Sequence, residues 1–447
     1  MMDGAPDAGG MYDILRHAPD GVVALRQQGA LRVTQFRRDV AALAALLPDQ
    51  PFLVNLCADR YRFMVGFAAA LRRKQVSLMP SAATPGVLRD LAADYPGLYA
   101  LADAPAPPEL PYLMFPPDLA GTAEAELAIP GGQPAVVLFT SGSTGRPKPV
   151  MKSWGTLVRS ARAAGERLRA GSFREGSVLG TVPHQHSYGL ESIILLGWQH
   201  GLAIACATPL FPEDVRTALQ AAPRPRLLVT TPVHLRPLTA DPGGMPPADL
   251  LLSATAPLPA ALAEAAEACF QAPLIEIYGC TEAGQIATRR STRETDWHCF
   301  DGVALHQDGT GYWASGDAVE GVAPVQDAIE PTGARTFRLG SRSADLVNIG
   351  GKRTSLSYLN HQLLGIQGVQ DGAFFMGEET GQAVPRLKAV VVAPGLEPGQ
   401  IMQALRQRLD PAFLPRPLIL VAMLPRNELG KLPRADLLRL AGGRAAE

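Results

Sequence analysis

The chain has 447 residues, 47% of them hydrophobic and 19% charged, with a formal net charge of −1. That is room for one large core and a second domain, and the near-neutral balance gives no electrostatic footing for nucleic acid or an anionic membrane. Five scattered cysteines, Cys57, Cys206, Cys269, Cys280 and Cys299, form no CxxC pair, so neither a zinc site nor a disulfide framework is expected and a reduced cytoplasm fits. The start, MMDGAPDAGG, lacks the basic and apolar runs of a signal peptide. The most apolar later stretch, Ile193 to Ala207, is broken by Gln199 and His200 and is too short to span a bilayer. Abundant Ala, Arg, Gly and Pro suit a GC-rich bacterial gene.

In the first 130 or so residues, apolar strands alternate with amphipathic helices. Thr34 is placed to cap a helix through Leu47. Phe52 to Leu56 reads as a buried strand, Arg60 to Arg73 as a helix and Val76 to Leu78 as a strand. The Pro-rich stretch Ala104 to Pro117 reads as a linker or surface loop.

The next apolar strand, Ala135 to Phe139, runs into a loop of hydroxyls and glycines: Thr140, Ser141, Gly142, Ser143, Thr144 and Gly145, closed by Lys148. Gly142 and Gly145 allow sharp turns that expose backbone N–H groups. The hydroxyls add donors and Lys148 adds charge, a set that suits a polyphosphate. It is not the GxxxxGK[ST] loop, because Pro149 follows Lys148. Seen alone, a Ser/Gly/Thr cluster equally suits a polar turn.

From there to Tyr278 the alternation is regular. Helices are predicted at Ser153–Ala170, Glu191–Trp198, Pro212–Leu219 and Pro259–Phe270. Strands are predicted at Val178–Val182, Leu202–Cys206, Leu227–Thr230, Leu250–Leu252 and Leu274–Ile277. Short apolar strands alternating with helices imply parallel sheets covered on both faces, with ligands at the carboxyl ends of the strands. Thr140, Ser253 and Tyr278 each fall just past such an end.

Several segments carry chemistry. Tyr278-Gly279-Cys280-Thr281-Glu282 offers a ring to stack on a purine, a hydroxyl for a phosphate oxygen and a carboxylate for Mg²⁺; it equally suits a helix start capped by Thr281. Asp317, closing Trp313-Ala314-Ser315-Gly316-Asp317, can accept two hydrogen bonds from vicinal ribose hydroxyls, although Gly-Asp is a common turn. Lys431, in the run Pro425 to Arg434, can offset charge growing at a phosphate. His184 and His186 follow a strand without an acidic or Cys partner, too weak a pattern for a metal site. After Gly340, short strands at Phe374–Met376, Lys388–Ala393 and Leu418–Ala422 flank helices Ser355–Leu364 and Gly399–Leu409. That is the pattern of a small α+β domain of about a hundred residues.

Together these segments resemble the adenylate-forming superfamily of acyl- and aryl-CoA synthetases, peptide-synthetase adenylation domains and luciferases. The loop from Thr140 to Lys148 resembles its phosphate-binding signature, the Tyr278 pentapeptide its YGxTE, Ser315-Gly316-Asp317 its [ST]GD, and Gly430-Lys431 with Arg434 its GKxxR. Gly340 to Asp345 resembles its hinge, with Ala344 where many relatives carry Lys or Asp. Ser253-Ala254-Thr255-Ala256-Pro257-Leu258 resembles SGGAPL with both glycines replaced. Pro183 to Gly189 resembles P-x-x-H-x-x-G, which matches His186 and leaves His184 to local structure.

The resemblance implies an α/β fold: an N-terminal domain of parallel sheets covered by helices over residues 1–343, and a small mobile α+β domain over 344–447. It implies an ATP- and Mg²⁺-dependent ligase that makes an acyl adenylate and hands the acyl group to CoA or a carrier protein's phosphopantetheine. ATP would be held by Thr140 to Gly145, Lys148, Tyr278, Asp317 and Arg342. Thr281 would contact the α-phosphate, Glu282 would bind Mg²⁺, and Lys431 would act in adenylation. The acyl pocket would draw on His186, Ser253, Ala254, Thr255 and Gly279, and the thiol arm would pass Gly350, Gly351 and Lys352. The replaced glycines favour a compact, benzoate-like acid; the alternatives are a medium- or long-chain fatty acyl ligase, and a catalytically silent nucleotide-binding or carrier-docking protein. The short span from Glu282 to Ser315 implies that the small barrel usual there is trimmed.

Overall fold

The computed structural model describes residues 10–80, 83–105, 109–140, 148–173, 175–309, 311–340, 346–349, 352–377, 387–427, 430 and 432–442. Residues 1–254 and 262–325 form one compact unit; residues 255–261 and 326–447 form the other. The expected boundary between Ser343 and Ala344 lies outside the described residues.

The first unit is α/β and carries two large sheets, along with a small two-stranded and a small three-stranded one. One of the large sheets has six strands in the order Lys148–Ser153, Pro134–Thr140, Val76–Met79, Phe52–Asn55, Leu98–Ala102 and Tyr112–Met114. All neighbours in it are parallel except the first pair. The other sheet has a parallel run of Leu274–Cys280, Leu250–Ser253, Arg226–Thr230, Ser177–Gly180, Ala203–Ala205 and Val22–Arg26. Antiparallel strands Gly284–Arg289 and Gly29–Arg32 flank that run. Strands such as Val76–Met79, Leu98–Ala102 and Ser177–Gly180 are buried at every residue. They read as unbroken apolar runs because both faces are covered.

Helix Arg60–Arg72 is buried almost all round, as a helix apolar on every face must be. Asp59 caps it, accepting from the Arg62 N–H at 2.8 Å. Its Phe67 stacks on Trp198 at 6.2 Å and meets Trp154 edge-on at 6.5 Å, joining three helices in one core. Ser153 caps helix Trp154–Arg167.

Several expectations are corrected. Thr34 is not a cap: helix Val33–Leu46 starts after Arg32 without a side-chain cap. The stretch Ala104 to Pro117 is not all loop, since Tyr112–Met114 pairs with Leu98–Ala102 as an edge strand. The predicted helix at Glu191 begins as a π-turn, Leu190–Leu195, which runs into helix Leu196–His200 and ends at Gly201 with φ 68°. Helices Pro85–Asp94 and Pro232–Ala240 lay unread in the sequence. Among the described residues no helix is long and apolar enough to cross a membrane.

The second unit, which begins before the expected boundary, contains a small α+β body. Strand Leu387–Val392 lies between Asp371–Met376, antiparallel to it, and Leu418–Leu420, parallel to it. Phe374 and Val391 face helices Leu356–Leu364 and Pro398–Arg406 through Leu359, Leu363, Ile401 and Leu405. Phe375 and Val390 join Leu437 of helix Arg434–Gly442 in a second cluster. Alternate residues therefore serve opposite cores, as the two-residue period of a strand requires.

Candidate active site

The site segments of the first unit gather at strand ends. Thr140 ends Pro134–Thr140, Ser253 ends Leu250–Ser253, and residues 183–186 follow Ser177–Gly180. Lys148 is exposed and opens its strand opposite Thr140. Ser141, Gly142, Ser143, Thr144, Gly145, Arg342, Gly350, Gly351 and Lys431 lie outside the described residues; Lys352 opens strand Lys352–Ser355.

The Tyr278 pentapeptide does not start a helix. Strand Leu274–Cys280 runs through it, turns at residues 281–283 and returns as Gly284–Arg289, with a bulge between Tyr278 and Gly279. A Cβ on Gly279 would lie 2.2 Å from the Gly284 carbonyl oxygen, so only glycine permits so close a reversal. Tyr278 is buried, its ring 5.6 Å from Trp297. Thr281 and Glu282 sit half-buried at the corner.

Behind that corner lie charged groups that sequence reasoning missed. Lys152, 2% exposed, donates from Nζ to the Glu282 carbonyl oxygen. Burial lowers its pKa, opposed most by the charge of Glu191. Glu191 sits on the π-turn and accepts from the Gln285 N–H at 3.3 Å. Burial lifts its pKa to about 7, against the pull of Lys152. The neighbouring Ser192 accepts from Gln285 Nε2 at 2.7 Å. Burial likewise pushes the Cys280 thiol up to about 11. The available signal was a lysine inside the short strand Lys148–Ser153, four residues past Lys148.

Asp317 is exposed, in the turn after strand Gly311–Ser315. Gly316 has φ 121°, and a Cβ there would lie 1.9 Å from the Gly302 carbonyl oxygen. Arg159 Nε donates to the Asp317 carbonyl at 2.6 Å, a second brace unread in the sequence. With Asp317 on the ribose, as the resemblance implies, Gly316→Ala is expected to raise the KM for ATP roughly tenfold, on the scale of the ~1–3 kcal/mol that a strained backbone costs. The KM for the carboxylic acid should stay unchanged, and steady-state kinetics with each substrate varied in turn checks it.

His186 is half-buried at the start of the turn Ser187–Gly189. A Cβ on Gly189 would lie 2.0 Å from the Pro183 carbonyl oxygen, so this loop folds tightly on itself. His184 points into the core: Nε2 donates to the Cys57 carbonyl at 3.1 Å, the ring lies 4.6 Å from Phe63, and burial lowers its pKa to about 4. Ser253 is 1% exposed and its Oγ has no partner among the described residues. Thr255 holds φ 79°: the backbone keeps a glycine's conformation with a β-branched residue on it.

Among the described residues no group of three or more His, Cys, Asp or Glu side chains could hold a metal ion. A single carboxylate such as Glu282 suits Mg²⁺, which takes one or two protein carboxylates and completes its shell with water and phosphate oxygens.

Residues 68–306 match the AMP-binding enzyme family. The chain is 30% identical to a 4-coumarate–CoA ligase of Halorhodospira halophila, over 66% of this chain and 73% of that one. It is 23% identical to a 3,4-dihydroxybenzoate–[aryl-carrier protein] ligase of Bacillus anthracis, over 68% and 73%. Among solved structures, ATP-bound MatB from Rhodopseudomonas palustris superposes with a TM-score of 0.80 at 18% identity, covering 94% of this chain and 96% of that one. The o-succinylbenzoate CoA synthetase of Bacillus subtilis with its acyl-adenylate gives 0.78 at 18% identity, over 94% and 96%. These two bear on the fold alone.

The chain belongs to the AMP-binding enzyme family. It is an acid–thiol ligase that activates a carboxylic acid with ATP as an acyl adenylate and then forms a thioester.

Proposed function

We propose that the acid is a small aromatic one, benzoate-like in size. The observation that carries this is the segment after strand Leu250–Ser253: Ala254 and Thr255 add side chains where the family resemblance has two glycines, and Thr255 does so at φ 79°. A pocket narrowed there suits a flat ring better than a flexible chain. Relatives named for 4-coumarate, 3,4-dihydroxybenzoate, 2-succinylbenzoate and anthranilate support an aromatic acid.

In this reading the substrate carboxylate attacks the α-phosphorus of ATP in line and pyrophosphate leaves, with positioning and electrostatics supplying most of the acceleration. Thr281 donates to an α-phosphate oxygen and Asp317 accepts from the ribose hydroxyls. Glu282 would hold Mg²⁺, which would neutralise charge on the phosphates. Thr140 to Gly145 and Lys148 cradle the triphosphate, Tyr278 flanks adenine and Arg342 meets the ribose or a phosphate. His186 lines the carboxylate end of the pocket, with Ser253, Ala254, Thr255 and Gly279 along its wall. Residues 344–447 then turn, withdrawing Lys431 and bringing Gly350, Gly351 and Lys352 to the path of a CoA or carrier-protein thiol. The reaction runs in the cytoplasm.

The test is pyrophosphate release and thioester formation across a panel of benzoates, cinnamates and alkyl acids, with CoA and with carrier protein as acceptor. The highest kcat/KM is expected with a benzoate-sized acid. A dodecanoate or longer chain outrunning every aromatic acid would refute the compact pocket.

A further inference from the structure

We propose that Lys152 is a positioning residue for the nucleotide half-reaction: from a buried site it holds the Glu282 main chain, and so aims the Thr281 hydroxyl and the Glu282 carboxylate. The inference rests on the roles proposed for those two residues.

A lysine is almost never fully buried without a partner, because its ammonium loses water that protein groups must replace. Lys152 is 2% exposed, and its Nζ donates to the Glu282 carbonyl oxygen, 130 residues along the chain. The corner it grips is held from the other side as well. Glu191 accepts from the Gln285 N–H at 3.3 Å and Ser192 from the Gln285 side chain at 2.7 Å. Between those two grips lie Ala283 and Gly284, and Thr281 comes immediately before the first of them. Gly279 and Gly284, with φ 81° at the latter, let the turn form, so its backbone has little rigidity of its own. Side chains from two other elements supply it.

The position of Lys152 in the chain gives this grip its use. It stands on strand Lys148–Ser153, which begins at the far end of the phosphate loop. Next to it, Ser153 ties Glu320 twice, Oε2 accepting from the Ser153 N–H at 2.8 Å and from its hydroxyl at 2.9 Å. Arg159, one and a half turns into the following helix, holds the Asp317 carbonyl. A single segment trailing the phosphate loop therefore grips both the metal-binding corner and the ribose turn. On the proposed roles, the groups for the metal and for the ribose are thereby set against one another before ATP arrives, which is what preorganised stabilisation requires.

The experiment compares Lys152→Met, Lys152→Arg, the double variant Lys152→Met/Glu191→Leu, and Glu282→Gln as control. Pyrophosphate exchange is measured against Mg²⁺ and ATP, thioester yield from supplied acyl adenylate, the KM for the acid, and the thermal midpoint. Lys152→Met is expected to raise the Mg²⁺ requirement and lower exchange by about 10- to 100-fold, the usual loss when a group supporting a metal ligand is removed. The acid KM and the thioester yield should hold. Lys152→Arg, which keeps a charged donor, should recover part of the exchange. The double variant removes both buried charges, so it should regain thermal stability without regaining exchange. Exchange that returns together with stability would mean that Lys152 only stabilises the fold, and the proposal falls. A normal Mg²⁺ dependence in Lys152→Met beside a defective Glu282→Gln overturns the role of Lys152 alone. A normal Glu282→Gln overturns the assignment of the corner, and the positioning role with it.

Discussion

Replacing Lys431 with alanine is expected to cut adenylate formation by ~10²–10³-fold, the scale seen when one preorganised stabilising group is removed. The reason is electrostatic. Charge moves between the attacking carboxylate and the α-phosphate during the first half-reaction, and an ammonium at that point lowers the barrier. It has no such task once the acyl adenylate exists. Thioester formation from supplied acyl adenylate should therefore survive in Lys431→Ala. Gly351→Leu should do the reverse, blocking the pantetheine arm while sparing pyrophosphate exchange. Both positions lie outside the described residues, so the prediction stands on the sequence motif and the proposed rotation of the small domain. Exchange and thioester yield measured separately decide it: parallel losses in both variants would mean that the substitutions only damage the small domain.

The second large effect is expected on stability. Arg60 is completely buried at the start of helix Arg60–Arg72. Its guanidinium donates to the carbonyls of Ala205 at 2.6 Å, Ala207 at 2.9 Å, Gly180 at 3.2 Å and Val182 at 3.4 Å. Gly180 and Ala205 end two neighbouring parallel strands, and Val182 and Ala207 lie two residues past those ends. Burial lowers its pKa only to about 10, so the group stays charged at neutral pH. Arg60→Met would strand the three buried carbonyls, those of Ala205, Gly180 and Val182, and is expected to cost roughly 3 kcal/mol or more, since each unsatisfied buried group costs about 1–3. Arg60→Lys should rescue little, because a point charge cannot span two strands as a planar fork does. Urea unfolding followed by fluorescence checks this, and an unchanged midpoint in Arg60→Met would refute it.

Much of the first unit was legible because its strands are buried on both faces. Runs such as VVLF and LLVT carry no solvent-facing position to blur them. The ends of elements were less legible: Thr34 carries a good capping hydroxyl, but helix Val33–Leu46 starts one residue before it. Helix Pro232–Ala240 escaped notice because Pro237 sits inside it, where proline ordinarily argues against a helix. Tyr112–Met114 escaped because a three-residue edge strand in a Pro-rich stretch has too little pattern to read.

The candidate site divides in the same way. Groups that would touch the nucleotide cluster in short motifs and announce themselves. Lys152, Glu191 and Arg159 do not, because their partners lie about 90 to 160 residues away and only the packed sheets bring them together.

The φ of 79° at Thr255 bears on how this enzyme could change. An L residue in the left-handed region carries about 1–2 kcal/mol of crowding, while glycine costs roughly 0.5–1 kcal/mol in chain entropy. Thr255→Gly thus removes bulk from the proposed pocket wall at little or no loss of stability. New specificities are usually reached through destabilised intermediates. Here the first step toward a larger acid runs level or downhill, so under selection for broader substrates this position should change before the buried residues around it.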